Sequence, residues 1–414
     1  MKIAIVGSGI SGLTAAYLLY KDFDIHVFEA NDYSGGHTHT IPVAKEHGKY
    51  MVDTGFIVFN ETTYPNFCKI LHTLKVPSQP TEMTFSVRCR KSGIEYNTHS
   101  LNTFFSQRKN LFSPSHYRMI FDIFRFRNQF AELLQYDDNA VPLVPFLEEH
   151  GYSAQFINLF ILPVTAALWS ASPDKSRNFP LATFVRFFKN HGFLNIKNPI
   201  EWRVIQGGSQ TYVQKMSAFF KDQIRLSCPV RRIQRSSDHV SIVHQEGSED
   251  FDQVILAVHS DQALALLADP SEKEKEILAA INYQQNEVVL HSDTTMLPQK
   301  RSIWASWNYY ISAQQQKAAT LSYDMNILQG ISAPEEFLVS LNQLEGINPD
   351  KIIGRYEYQH PVFTPDVPAA QKRHAEISAV NRTHYCGAYW GYGFHEDGVN
   401  SGLAVAAYFG KHLP

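Results

Sequence analysis

Gly7-Ser8-Gly9-Ile10-Ser11-Gly12 follows the apolar stretch Lys2–Val6 and leads into Leu13-Thr14-Ala15-Ala16-Tyr17-Leu18-Leu19. Strand, glycine turn and helix in this order make a cradle for a dinucleotide. Gly7 permits the tight turn, Gly9 lets backbone approach a pyrophosphate, and Gly12 lets the helix pack on the strand. The free N–H groups at the helix start then meet the phosphates. A second apolar stretch, Asp24–Phe28, ends in Glu29. This acid lies about 20 residues past the first glycine, where it suits a ribose with free hydroxyls.

The fingerprint alone leaves NAD and FAD open. A second glycine pair, Gly35-Gly36, with His37 and Thr38 after it, stands where a simple dehydrogenase would start its next crossover helix, and Asp53-Thr54-Gly55 follows Tyr50-Met51-Val52. Both features hint at a flavin. Further along, residues 224–233 and 240–243 read as a hairpin that returns to a parallel strand over 251–258. Near the C-terminus a strand over 383–386 runs into Gly387, and Gly391, Gly393 and Gly398 lead through Asn400-Ser401-Gly402 into a small-residue helix over 403–409. Capped by Asn400 or Ser401, that helix would favour negative charge at the N1–C2=O edge of a reduced flavin.

The elements that must position these residues are α/β in class. The sequence reads as a Rossmann-like FAD-binding domain over 1–78, 204–284 and 371–414, with an inserted α+β substrate-binding domain over 79–203 and 285–370. The chain's 37 Lys+Arg against 40 Asp+Glu give a formal charge of −3, which excludes the electrostatic footprint of a non-specific nucleic-acid binder. With 44% hydrophobic and 19% charged residues the chain is globular, with ample core for two or three domains. Cys68, Cys89, Cys228 and Cys386 form neither a CxxC pair nor a metal cluster, so reduced thiols, no metal and a cytoplasmic setting are expected. Glycines interrupt residues 1–20 where a signal peptide would be apolar. The run 156–171 holds Asn158, Pro163 and Thr165 and falls short of the ~20 residues that span a bilayer. Gln314-Gln315-Gln316 reads as a solvent loop and 271–276 as a solvated helix start.

The insertions are rich in aromatics. Residues 117–130 and 184–189 place apolar side chains at helical spacing with basic residues between them. Two expectations stand beside each other: helices lying on anionic lipid at the inner membrane face, or amphipathic helices packed on their own domain with solvated arginines.

The order GSGISG, Glu29, SGGHTHT, DTG, the Val230 strand and CGAYWGYGFHEDGVNSGLAVAA resembles the flavin-containing amine oxidase and phytoene desaturase superfamily. AALWSA (166–171), QGGSQTYV (206–213), ASWNY (305–309), HPVFTP (360–365) and CGAYWGYGFHEDG (386–398) are similar to a bacterial branch of FAD oxidoreductases found alongside cyclopropane-fatty-acyl synthase-like methyltransferases. The resemblance implies that Gly7, Ser8, Gly9, Ser11 and Gly12 meet the pyrophosphate, Glu29 the ribose and Val230 the adenine. It further implies that Gly36, His37 and Thr38 border the flavin, with Gly387, His395, Asp397, Gly398, Val399 and Asn400 by the isoalloxazine and ribityl chain. The superfamily commonly has arginine where His37 stands. Cys386 precedes the C-terminal loop that carries the covalent link in monoamine oxidases, so non-covalent FAD is expected. Trp307, Tyr309, Tyr389 and Tyr392 are expected to line the substrate cavity, and His395 or His291 to accept a proton. The implied activity is removal of hydride from an apolar substrate, a modified fatty-acyl chain of a lipid. The alternatives are amine oxidation with peroxide release and a redox-neutral flavin isomerase.

Overall fold

The computed structural model describes residues 1–134, 141–190, 200–313 and 318–413. Strand β1 (Lys2–Val6), helix α1 (Ile10–Leu19) and strand β2 (Asp24–Phe28) form the opening unit. β1 is the centre of a five-stranded, all-parallel sheet ordered Ile224–Arg225, β2, β1, Gln253–Leu256, Thr383–Tyr385. Ile3, Ala4, Ile5 and Val6 are all buried, as a parallel strand covered on both faces requires.

The return to this sheet is not a plain hairpin. Val230–Arg235, Val240–His244 and Gly247–Phe251 form a three-stranded antiparallel sheet before Gln253–Leu256 joins β1. The third of these strands, Gly-Ser-Glu-Asp-Phe, buries only Phe251 and lacks the alternation by which a strand is recognised.

A seven-stranded sheet supports the second half of the molecule. Its order is β4 (Ile352–Val362), β3 (Asn282–His291), Leu338–Leu341, Leu321–Asp324, Trp307–Ile311, Phe85–Cys89, Ile94–Asn97. Both insertions contribute strands, and Trp307–Ile311 pairs in parallel with Phe85–Cys89. Helices between residues 101 and 190 cover this sheet through an aromatic core that includes Phe126, Phe156, Phe184, Phe187 and Phe188. α2 (Pro114–Asn128) is the longest of them. The expected boundaries at 78/79, 203/204 and 284/285 fall inside the strands Ser78–Thr81, Trp202–Ile205 and β3. The fourth expected boundary, 370/371, falls inside the helix Val367–Lys372.

The C-terminal helix, α3 (His395–Tyr408), begins eight residues before the expected 403–409. It is capped by Asp397, whose Oδ2 accepts from the Phe394 N–H at 2.9 Å. Asn400 and Ser401 are therefore helix-interior residues. Gly398 and Gly402 belong to its contact with α1: a Cβ on Gly402 would stand 2.6 Å from the Ser11 carbonyl oxygen, and one on Gly398 2.7 Å from Ile10 Cγ2. Small residues here let two helices approach closely, a role that in a sequence looks the same as a glycine loop.

Among the described residues no helix is long and apolar enough to cross a membrane, and no cluster of His, Cys, Asp and Glu could hold a metal ion. The Gln314-Gln315-Gln316 loop lies outside the described residues.

Candidate active site

A cavity of about 810 Å³ runs from the end of β2 to the seven-stranded sheet. At its first end, Glu29 is buried at the tip of β2. Its Oε2 accepts from the Ser8 N–H at 2.9 Å and the Ser8 hydroxyl at 2.6 Å, and its Oε1 from the Asn31 N–H at 2.9 Å. A carboxylate offers about four acceptor sites, so one remains for a ligand hydroxyl. Gly7, Gly9, Ile10 and Ser11 line the wall beside it. α1 has no side-chain cap at Gly9, which leaves its first N–H groups for an anion. Pro229 and Val230 form the opposite wall.

The far end is made of rings. His37, His259 and His360 face one another, with His37 centroids 5.9 Å and 5.4 Å from the other two. His37 Nε2–H donates to the Gln359 carbonyl at 3.1 Å, and His360 Nδ1 accepts from Asn286 Nδ2 at 3.0 Å. Desolvation pushes His37 and His259 down to about 4 and His360 to about 3, with a neighbouring imidazole adding to the effect for all three. All three are neutral at physiological pH. Trp307, Tyr323, Phe187 and Leu168 complete this wall, and no lysine or arginine lines the cavity among the described residues. Trp307 Nε1 is buried without a hydrogen-bond partner there, a donor available to a bound group.

His395 sits between the two ends. Its ring stacks on Phe56 with centroids 3.4 Å apart. Its Nε2 meets Thr38 Oγ1 at 3.0 Å and the Tyr212 hydroxyl at 2.9 Å, neither of which lines the cavity. Burial holds its pKa well below the usual histidine value.

The structure brings Gly7, Ser8, Gly9, Ser11, Glu29, Gly36, His37, Val230, Trp307, Gly387, Tyr389 and His395 into the lining of one cavity. Other expected residues lie elsewhere. Gly12 is a packing position, where a Cβ would collide with the Gly7 carbonyl oxygen. Thr38 stands behind His395. Val399 is fully buried in the core beside Ile10 and Leu13, and Gly398 faces α1. Tyr392, Asp397 and Asn400 border a separate recess of about 450 Å³, where burial lifts Asp397 to about 7. Tyr309 is buried in the aromatic core, against Phe85.

His291 is also misplaced as a cavity base. It lies at the opposite end of β3 from the cavity residues Tyr283 and Gln285, with Nε2 bonded to Ser340 Oγ at 2.8 Å and Nδ1 accepting from the Asp293 N–H at 3.0 Å. Conversely, His259, His360, Tyr323 and Phe56 line the cavity without having been expected there. His360 opens the HPVFTP stretch, and His259 follows the Gln253–Leu256 strand by three residues; both positions signal a strand end, which is where such sites collect.

A dinucleotide cradle joined to an aromatic chamber defines a nucleotide-binding protein of α/β class. Residues 10–295 match the family of flavin-containing amine oxidoreductases, and the chain belongs to that family. The chain is 38% identical over 96 residues to a 1-hydroxycarotenoid 3,4-desaturase of Flavobacterium sp. (strain P99-3), covering 23% of this chain and 18% of that one. It is 25% identical over 285 residues to AofH of Mycobacterium tuberculosis (strain ATCC 25618 / H37Rv), named as a putative flavin-containing monoamine oxidase, covering 65% and 59%. The matches thus span less than two thirds of these relatives' lengths. Among solved structures, the cyclohexylamine oxidase of Brevibacterium oxydans IH-35A superposes with a TM-score of 0.69 at 15% identity over 98% of both chains. A fatty acid isomerase from P. acnes gives 0.72 at 17% identity over 98% of both. These share the fold.

Proposed function

We propose that the chain binds FAD non-covalently and uses it to remove hydride from an apolar substrate, a modified fatty-acyl chain of a lipid. The observation that carries this reading is the chamber at the far end of the cavity: rings and neutral imidazoles, with Glu357 as the carboxylate on that lining and no cation among the described residues. A carboxylate or phosphate substrate would find no counter-charge there, whereas an alkyl chain needs none. The cradle supports FAD through the free N–H groups of α1 and the remaining acceptor site of Glu29. Cys68, Cys89, Cys228 and Cys386 all lie off the cavity wall, and Cys386 is fully buried in the core, which supports non-covalent binding.

Bound flavin supplies a hydride acceptor. The chain's residues exclude water and hold the substrate: Trp307, Tyr323 and Phe187 as walls, and Tyr389 with Phe394 at the C-terminal edge. An alkene product also requires loss of a proton from the adjacent carbon, for which Glu357, the carboxylate on this lining, is the candidate acceptor. His395 is a wall and positioning residue for this chemistry, because its Nε2 is held by Thr38 and Tyr212 and a base so hard to protonate is a poor proton acceptor at neutral pH.

Amine oxidation is the second reading, favoured by the match to AofH over most of the chain. One experiment separates the readings: anaerobic mixing of the yellow protein with phospholipids carrying methylated or cyclopropane acyl chains, then mass analysis of those chains. Bleaching with a two-hydrogen mass loss is the expected result. Bleaching by alkylamines alone, with peroxide on admission of air, would replace it with amine oxidation. A rearranged acyl chain of unchanged mass would indicate an isomerase, the activity for which the P. acnes protein is named.

A further inference from the structure

Exposed apolar side chains are concentrated in one stretch of the chain. Leu101, Leu111, Phe112, Tyr117, Phe121 and Phe124 are all exposed, Phe112 by 88%. They lie on the short helix Leu101–Phe104, the turn Arg108–Phe112 and α2, and the Phe105–Tyr117 ring contact at 5.4 Å ties the first segment to α2. The inward face of α2 is already covered: Met119 and Phe126 are in the core, and Asp122 is buried, accepting from the Ser153 N–H at 2.9 Å. Tyr117, Phe121 and Phe124 follow the i, i+4, i+7 spacing of a second, outward stripe. A helix that is apolar on both faces needs a partner on the second.

Charge selects that partner. Residues 100–128 carry Arg108, Lys109, Arg118, Arg125 and Arg127 against the single acid Asp122, a balance of +4 in a chain whose formal charge is −3. Asp122 is turned inward and paired with Arg118 at 3.2 Å. A second copy of the chain would set this positive face against itself, whereas anionic headgroups neutralise it. Arg118 lies 5.4 Å from the ring centroid of the exposed Phe121, so a cationic head stands directly beside an exposed apolar ring, the arrangement of a headgroup boundary.

We propose that this face docks peripherally on an anionic lipid bilayer, with α2 lying along the surface, Phe112, Phe121 and Phe124 entering the headgroup–acyl boundary, and the basic residues at lipid phosphates. The test is flotation of the full chain with phosphatidylcholine vesicles and with phosphatidylcholine–phosphatidylglycerol vesicles, beside hydrogen exchange over residues 108–124. The unaltered protein is expected to float with the anionic vesicles only, to detach as salt rises, and to gain amide protection over 108–124 on binding. Phe112→Ser with Phe121→Ser is expected to weaken partitioning by about tenfold or more, and Arg108→Glu with Lys109→Glu by about tenfold. Equal flotation with neutral vesicles, flotation with neither, or unchanged exchange over 108–124 in the unaltered protein would overturn the proposal. So would a dimer in sedimentation that protects the same amides without lipid and leaves the protein unable to float.

Discussion

The Glu29 end of the cavity is built from backbone and one carboxylate, whereas the far chamber is built from side chains on strands and helices far apart in sequence. At the first end a turn and a helix start supply the donors, and Glu29, held by Ser8 and Asn31, supplies the acceptor. At the second, His37, His259, His360, Trp307 and Phe187 come from five separate segments. Backbone donors are common to every sequence that makes the turn, so they recognise what all ligands of the class share. Side chains converging from distant elements can be exchanged without unmaking the fold, and specificity resides there.

This difference has measurable consequences. Gly12→Val should have the largest effect, because a Cβ there meets the Gly7 carbonyl oxygen and Ala257. The expected loss is about 4 kcal/mol or more, read by urea denaturation, with no flavin retained. Glu29→Gln keeps the shape but weakens the charge-assisted bonds from Ser8. Cofactor affinity should fall about 10- to 100-fold in titrations of the apoprotein, with unfolding little changed.

His360→Asn probes the far chamber through pH. The His360 pKa falls from 6.5 to about 3 on folding, so between those values the unfolded chain binds more protons and stability declines as pH drops. The variant should flatten that decline by up to about 1.4 kcal/mol per pH unit. Asp324 and Asp397, raised to about 7, act in the opposite sense but are common to both proteins and cancel in the difference. The smallest effect is a paired one: Trp307→Phe should slow substrate reduction of the flavin about fivefold while leaving cofactor affinity within about twofold. Tyr309→Phe, off the cavity, should change neither.

Legibility in the sequence followed the same division. The strand, glycine turn, helix and Glu29 are contiguous, and local pattern suffices to read them. The far chamber was read only where a motif marked it. Trp307 and Tyr309 are two residues apart and so share one face of their strand by the period-two rule, yet only Trp307 lines the cavity, because the helical layer buries Tyr309 further along the strand. His291 and His360 look alike in sequence. They lie on neighbouring strands, and only register places one at the cavity and the other at the sheet's far end. The C-terminal glycines differ from expectation for another reason: Gly398 and Gly402 serve helix contact with α1, and a close-packing glycine carries the same letter as a flexible one.

The central claim is that a single dinucleotide joins both ends of this cavity without a covalent bond. Its most direct test is the visible spectrum of the purified protein, followed by acid precipitation and chromatography of the supernatant. A yellow protein that releases stoichiometric FAD into the supernatant is the predicted result. A colourless protein that takes up no FAD on reconstitution, or a flavin that stays with the precipitate, would contradict it.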